Sequence, residues 1–138
     1  MDISRYPQFH LFLLTLQMQK IKNQLLPQSC DERCVNATII NRSYYSAYLY
    51  CLLWLEDMKK FKPLSSWEFD EDEQKISKHK QVINALYNFN EPEMGSKLHR
   101  LFNLRHKADY EPFTDIAPEE VSDSIKNMEK IFNHLKFD

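Results

Sequence analysis

Apolar residues recur along this chain at helical spacing. Phe9, Phe12, Leu13, Leu16, Ile21 and Leu25 follow one another at three-to-five spacing, behind Pro7, which suits a first helical turn, and ahead of Leu26-Pro27, which stops the run. A first helix is predicted there. Asp31 is a suitable N-cap for a longer helix reaching about Met58. In that helix Val35, Ile39, Leu49 and Leu53 mark one face, while Ile40, Tyr44, Ala47, Cys51 and Trp54 mark another. A helix apolar on two faces is predicted to be central. Arg42 falls on the first of these stripes, with Ser43, Ser46 and Ala47 around it leaving room for close helix approach.

From Phe61 to Lys75 the periodicity is lost. Pro63 and Ser65-Ser66 break the chain, and Glu68, Asp70, Glu71, Asp72 and Glu73 gather into an acidic cluster, which predicts an exposed, mobile loop over about 61–76. Helical spacing resumes over Ser77–Phe89 with Val82, Ile83, Leu86 and Tyr87, giving a short third helix. Asn90-Glu91-Pro92 and Gly95 read as a connection, after which a fourth helix starts near Ser96 and carries Leu98, Leu101, Phe102, Arg105 and Ala108 on one stripe until Pro112 forbids continuation. A fifth helix follows Ala117-Pro118, with Glu119 and Glu120 in its first turn and Val121, Ile125, Met128, Phe132 and Leu135 on its packing face. No repeat or linker divides the sequence, so residues 1–138 are expected to form a single all-α domain, a compact bundle of about five helices.

Composition narrows the function classes. A chain of 138 residues is long enough for one domain with a substantial core. One glycine, Gly95, is too few for a hairpin-rich β fold, a dinucleotide fingerprint or a phosphate-cradling loop. With 18 Lys+Arg against 20 Asp+Glu, the net charge of −2 excludes nucleic-acid binding through bulk positive charge. Three cysteines and no recognisable leader point to the reducing cytoplasm. The densest apolar stretch, from Tyr44 to Leu55, is interrupted by Ser46 and followed by Glu56 and Asp57, too short to span a bilayer, so no membrane is expected. Cys30 and Cys34 lack a second pair at zinc-site spacing. His10, His79, His99, His106 and His134 form no metal-binding motif, and the acidic cluster follows no calcium-loop order. No metal and no cofactor are expected.

The chemically richest stretch runs from Lys97 to Tyr110. It concentrates Lys97, Arg100, Arg105 and Lys107 with His99 and His106, and it holds no acid before Asp109, which makes it the candidate for a local anion site. The simpler reading pairs Arg105 with Asp109 one turn later and leaves the other basic residues solvated. Arg105 nevertheless occupies an apolar slot, and a buried guanidinium needs a carboxylate, a partner subunit or a phosphate to offset its desolvation. Tyr44 and Tyr45 read as core or interface aromatics.

Three segments carry a resemblance. Asn41-Arg42-Ser43-Tyr44-Tyr45-Ser46-Ala47, Lys78-His79-Lys80-Gln81-Val82 and Leu104-Arg105-His106-Lys107-Ala108-Asp109-Tyr110 resemble the RSYYA, HxxV and LRxxADY signatures of small stand-alone bacterial and archaeal proteins of the HEPN superfamily. The resemblance covers roughly Asp31 to Phe137. It implies a four-helix core that dimerises, as a homodimer or with another HEPN-like chain. It also implies a metal-independent endoribonuclease acting as a toxin beside an antitoxin, or within an antiphage defence system. In active members an arginine and a histidine a few residues later enter one cleft from each protomer. Carried over, the arginine is Arg105 and the histidine's place is taken by Tyr110, so His106, as an imidazole, is the best-suited acid–base group. Arg100, Lys107, Asn41 and Arg42 would position RNA phosphate, and Asp109 would orient Arg105 or His106. The alternative is a non-catalytic module of the same family, binding a nucleotide or serving as scaffold in a larger defence complex.

Overall fold

Helix starts are fixed by local chemistry. In the structure, a computed structural model that describes residues 2–25, 31–72 and 74–137, an Asp31 carboxylate oxygen accepts from the Arg33 amide at 3.1 Å and opens the long second helix. Ser77 caps the third through the Lys80 amide at 3.3 Å. Pro118 begins the fifth, where a Glu120 carboxylate oxygen accepts from the Ala117 amide at 3.0 Å. The order is α1 (Pro7–Leu25), α2 (Glu32–Lys59), α3 (Lys78–Asn88), α4 (Pro92–Tyr110) and α5 (Pro118–His134), with no strand among the described residues. The expected stop of α1 at Leu26-Pro27, Cys30 of the cysteine pair and Glu73 of the acidic cluster lie outside the described residues.

α2 is the axis of the bundle and packs against each of the other four helices. Ile39, Tyr44, Ala47, Cys51 and Leu55 are fully buried along it. They meet Val82 and Leu86 of α3, Leu98 and Leu101 of α4, and Met128 and Ile131 of α5 in one core. α1 reaches α5 through Phe12 stacked on Phe132, ring centroids 4.4 Å apart. Residues 135–137 fold back over α2, where Leu135 O accepts from the Tyr50 hydroxyl and Lys136 O from the Trp54 indole at 3.0 Å.

Two expectations are corrected. α4 begins at Pro92 instead of Ser96, because proline is well placed in a first helical turn, where no intrahelical amide bond is lost. Gly95 therefore lies inside the helix, packed under Tyr87, whose Cε2 would stand 2.8 Å from a Cβ at that position. Met94 and Leu104 are buried on α4 beside Leu98, Leu101 and Ala108, and the predicted stripe left them out.

The segment between α2 and α3 holds one 3-10 turn, Ser66–Glu68, and its described carboxylates Glu68, Asp70, Glu71 and Asp72 are exposed. Its base is anchored. Pro63 is buried, and Gln81 of α3 bonds the Leu64 amide at 2.8 Å and the Leu64 carbonyl at 2.9 Å.

Candidate functional site

α2, α3 and α4 bring the three signature segments to one place. Arg105 has a side chain only 14% exposed, so the apolar slot does bury a guanidinium, and its partners lie within the chain. Nε donates to Asp109 Oδ2 at 2.8 Å, and Nη2 donates to the hydroxyls of Tyr45 at 3.1 Å and Tyr110 at 3.4 Å. The guanidinium carbon lies 5.9 Å from the ring centroid of Tyr44 and 5.3 Å from those of Tyr45 and Tyr110. Asn41 Nδ2 reaches the same Asp109 oxygen at 3.0 Å. Burial works against the Arg105 cation, but Tyr45, Asp109 and Tyr110 outweigh it and raise its pKa. The pairing of Arg105 with Asp109 is thus present, and a partner subunit is not needed to neutralise the charge.

Beside this cluster stands His79. The fully buried Tyr44 shares a hydrogen bond between its hydroxyl and His79 Nδ1. The imidazole stacks on Tyr48 at 4.5 Å and meets Tyr45 edge-on at 6.2 Å. Burial, then the charge of Arg105, hold the His79 pKa below its ordinary value, so the ring is neutral at neutral pH. Burial, helped by Tyr48, pushes the Tyr44 pKa far up and keeps the phenol protonated. Sequence reasoning gave His79 no chemical role. The available signal was its place in the first turn of α3, within the HxxV segment, and the partner Tyr44 lies 35 residues away.

The predicted phosphate-positioning residues do not assemble around Arg105. Arg100 pairs with Asp123 at 2.9 Å and Lys107 with Glu120 at 2.9 Å, both on α5. Lys107 follows Arg105 by two residues, about 200° around the helix, which turns it to the opposite side of α4. Burial opposes the Glu120 charge, but the Ala117 amide and Lys107 hold its pKa below the usual carboxylate value. Arg42 does not stay in its apolar stripe. It is exposed, as long basic side chains reach solvent past apolar neighbours, and it lines an open cleft of about 340 Å³ with Arg33, Asn41, Asp109 and Pro112.

His106 is exposed, with its ring 4.9 Å from that of Tyr110. Tyr110 thus connects His106 to Arg105. Arg33, which sequence reasoning passed over, closes the end of α4 by donating to Glu111 O at 2.7 Å, Thr114 O at 2.9 Å and Ala108 O at 3.3 Å.

Fold and site together define an all-α bundle with an arginine–carboxylate–tyrosine cluster and a neutral histidine where three helices meet. Comparison with protein-family models, with curated proteins and with solved structures gives no match. Among the described residues no helix is long and apolar enough to cross a membrane, and no group of three or more His, Cys, Asp or Glu is placed to hold a metal ion.

Proposed function

We propose that the chain is a HEPN-type module of a toxin–antitoxin or antiphage defence system that cleaves RNA in the cytoplasm without a metal ion. The observation that carries this reading is the Arg105–Tyr110–His106 run, in which a largely buried guanidinium bonds the hydroxyl whose ring meets an imidazole. Arg105 offsets charge on the scissile phosphate, and His106 takes the proton of the attacking ribose 2′-hydroxyl. As the O2′–P bond forms and the P–O5′ bond breaks, the leaving oxygen takes a proton from water, giving a 2′,3′-cyclic phosphate and a 5′-hydroxyl, and the hydroxide left is neutralised by the proton His106 then releases. Asn41 and Arg42 line the adjoining cleft and meet the RNA backbone there. Two protomers, alike or HEPN-like, pair through the face carrying Arg42 and the end of α4, where Arg42 and Tyr110 are exposed, and not through Tyr44, expected at that face from the sequence but fully buried.

A second reading is favoured by the ion pairs themselves. Arg100, Lys107 and Arg105 are each matched by a carboxylate of the same chain, which suits a non-catalytic scaffold or nucleotide-binding subunit. The test is incubation of partner-free protein with labelled single-stranded RNA in EDTA. Cleavage by wild type and its loss in a folded Arg105→Ala variant support the enzyme. Intact RNA throughout, with a stable complex to a defence-system protein, selects the second reading.

A further inference from the structure

Tyr44 is 0% exposed, and its hydroxyl has one hydrogen-bond partner among the described residues, His79 Nδ1. A protonated, buried phenol must place its proton on an acceptor, and that acceptor is the lone pair of Nδ1. A neutral imidazole that accepts at Nδ1 carries its own proton on Nε2. His79 Nε2 makes no hydrogen bond among the described residues, and it is not among the buried unpartnered atoms, so it reaches water. The same holds for Arg105 Nη1, because Asp109 and the tyrosines engage Nε and Nη2.

Both groups flank the same two rings. The guanidinium carbon is 5.9 Å from Tyr44 and 5.3 Å from Tyr45, and the imidazole is 5.6 Å and 6.2 Å from them. A charged and a neutral N–H donor from two helices thus stand against the same pair of rings, each with a hydrogen left to give.

We propose that Arg105 Nη1 and His79 Nε2–H together bind the oxygens of one phosphate group, with Tyr44 as the positioning residue that fixes the imidazole tautomer. The phosphate is that of the RNA backbone, and to this extent the inference rests on the reading above. His79 is then an anion donor and not the proton acceptor of the reaction. A neutral donor there adds a hydrogen bond without a second cation, which agrees with the desolvated surroundings of the ring.

The test uses full-length protein labelled with nitrogen-15 at histidine, at neutral pH and constant ionic strength. Long-range nitrogen–proton correlation should show His79 as the Nε2–H tautomer, and Tyr44→Phe should shift it toward a mixture. Titration with inorganic phosphate should move the His79 Nε2 resonance saturably, chloride should not, and Arg105→Gln should weaken the phosphate effect at least about tenfold, the loss of one charge-assisted hydrogen bond. The Nδ1–H tautomer, an unmoved His79 signal, or an equal shift at all histidines overturns the inference. The wild-type titration needs no variant to fold. RNA cleavage with no phosphate effect at His79 sinks this inference and leaves the function standing. A phosphate effect with RNA left intact does the reverse.

Discussion

Replacing Asp109 tests the balance of charge in the cluster. Its carboxylate side chain is 25% exposed and that of Arg105 is 14% exposed, so the pair lies between a surface ion pair and a fully buried one. Surface pairs contribute about 0–1 kcal/mol, and breaking a buried pair costs about 3–5 kcal/mol because a charge is left unmatched. The 2.8 Å Arg105 contact to Asp109 is charge-assisted, and Asn41 loses its acceptor in the same stroke. Tyr45 and Tyr110 still hold Nη2, which moderates the loss. Asp109→Ala should therefore destabilise by about 2 kcal/mol. For a domain of this size that is a fall in Tm of about 7 °C. Urea unfolding supplies the free energy, and a double-mutant cycle with Arg105→Met isolates the pair, whose coupling should be about 1–2 kcal/mol. If Asp109→Ala unfolds within a few tenths of a kcal/mol of wild type and the cycle shows no coupling, the claim that this carboxylate offsets the desolvated guanidinium is wrong.

Further outcomes follow from other contacts. Glu120 has a lowered pKa in the folded chain, so its contribution is present above the ordinary glutamate pKa and disappears as pH falls through the folded value. Glu120→Gln should cost about 1 kcal/mol at neutral pH and nothing in strong acid, as read by urea unfolding at both pH values. Arg33→Ala removes a donor from the Ala108, Glu111 and Thr114 carbonyls at and just past the end of α4, of which Glu111 O keeps the Thr114 amide, and should cost about 1 kcal/mol. Hydrogen exchange should quicken over residues 108–114 and not over α5. Cys34 is exposed while Cys51 is buried with its thiol pushed far up, so a thiol reagent should modify Cys34 at once and Cys51 only on unfolding. Equal reaction rates at the two in native protein would contradict the buried placement.

Periodicity made the helices legible because burying an amphipathic stripe decides where helices form. Asp31 and Pro118 could be placed at helix starts because capping is a local matter. The basic side chains were less legible. Helical phase tells which way a Cα–Cβ bond leaves the axis, but an arginine or lysine extends several bonds further and ends where a carboxylate or water receives it. So Arg42 left its stripe for solvent, and Arg100 and Lys107 found Asp123 and Glu120 on α5, a pairing between two helices that the pattern within either one does not specify. Pro92 is ambiguous on its own, since proline both breaks helices and begins them, and the helix that starts there places Gly95 beneath Tyr87, a contact across the α3–α4 turn that periodicity does not show. His79 acquired its meaning from Tyr44, a contact 35 residues long-range that periodicity within one helix does not encode.

The strap formed by residues 135–137 governs the order in which this bundle can assemble. Tyr50 and Trp54 lie in the central helix, yet their acceptors come 85 and 82 residues later, at Leu135 and Lys136. During synthesis these two donors must stay hydrated, because sealing them in the core before their carbonyls emerge would leave each unsatisfied at about 1–3 kcal/mol. Closing so long a loop also comes late for entropic reasons. α2 therefore gains its final burial only when the segment after α5 has left the ribosome. Ribosome-bound chains halted before Leu135 should hold α2 open to hydrogen exchange, whereas chains extended well past Phe137 should protect it.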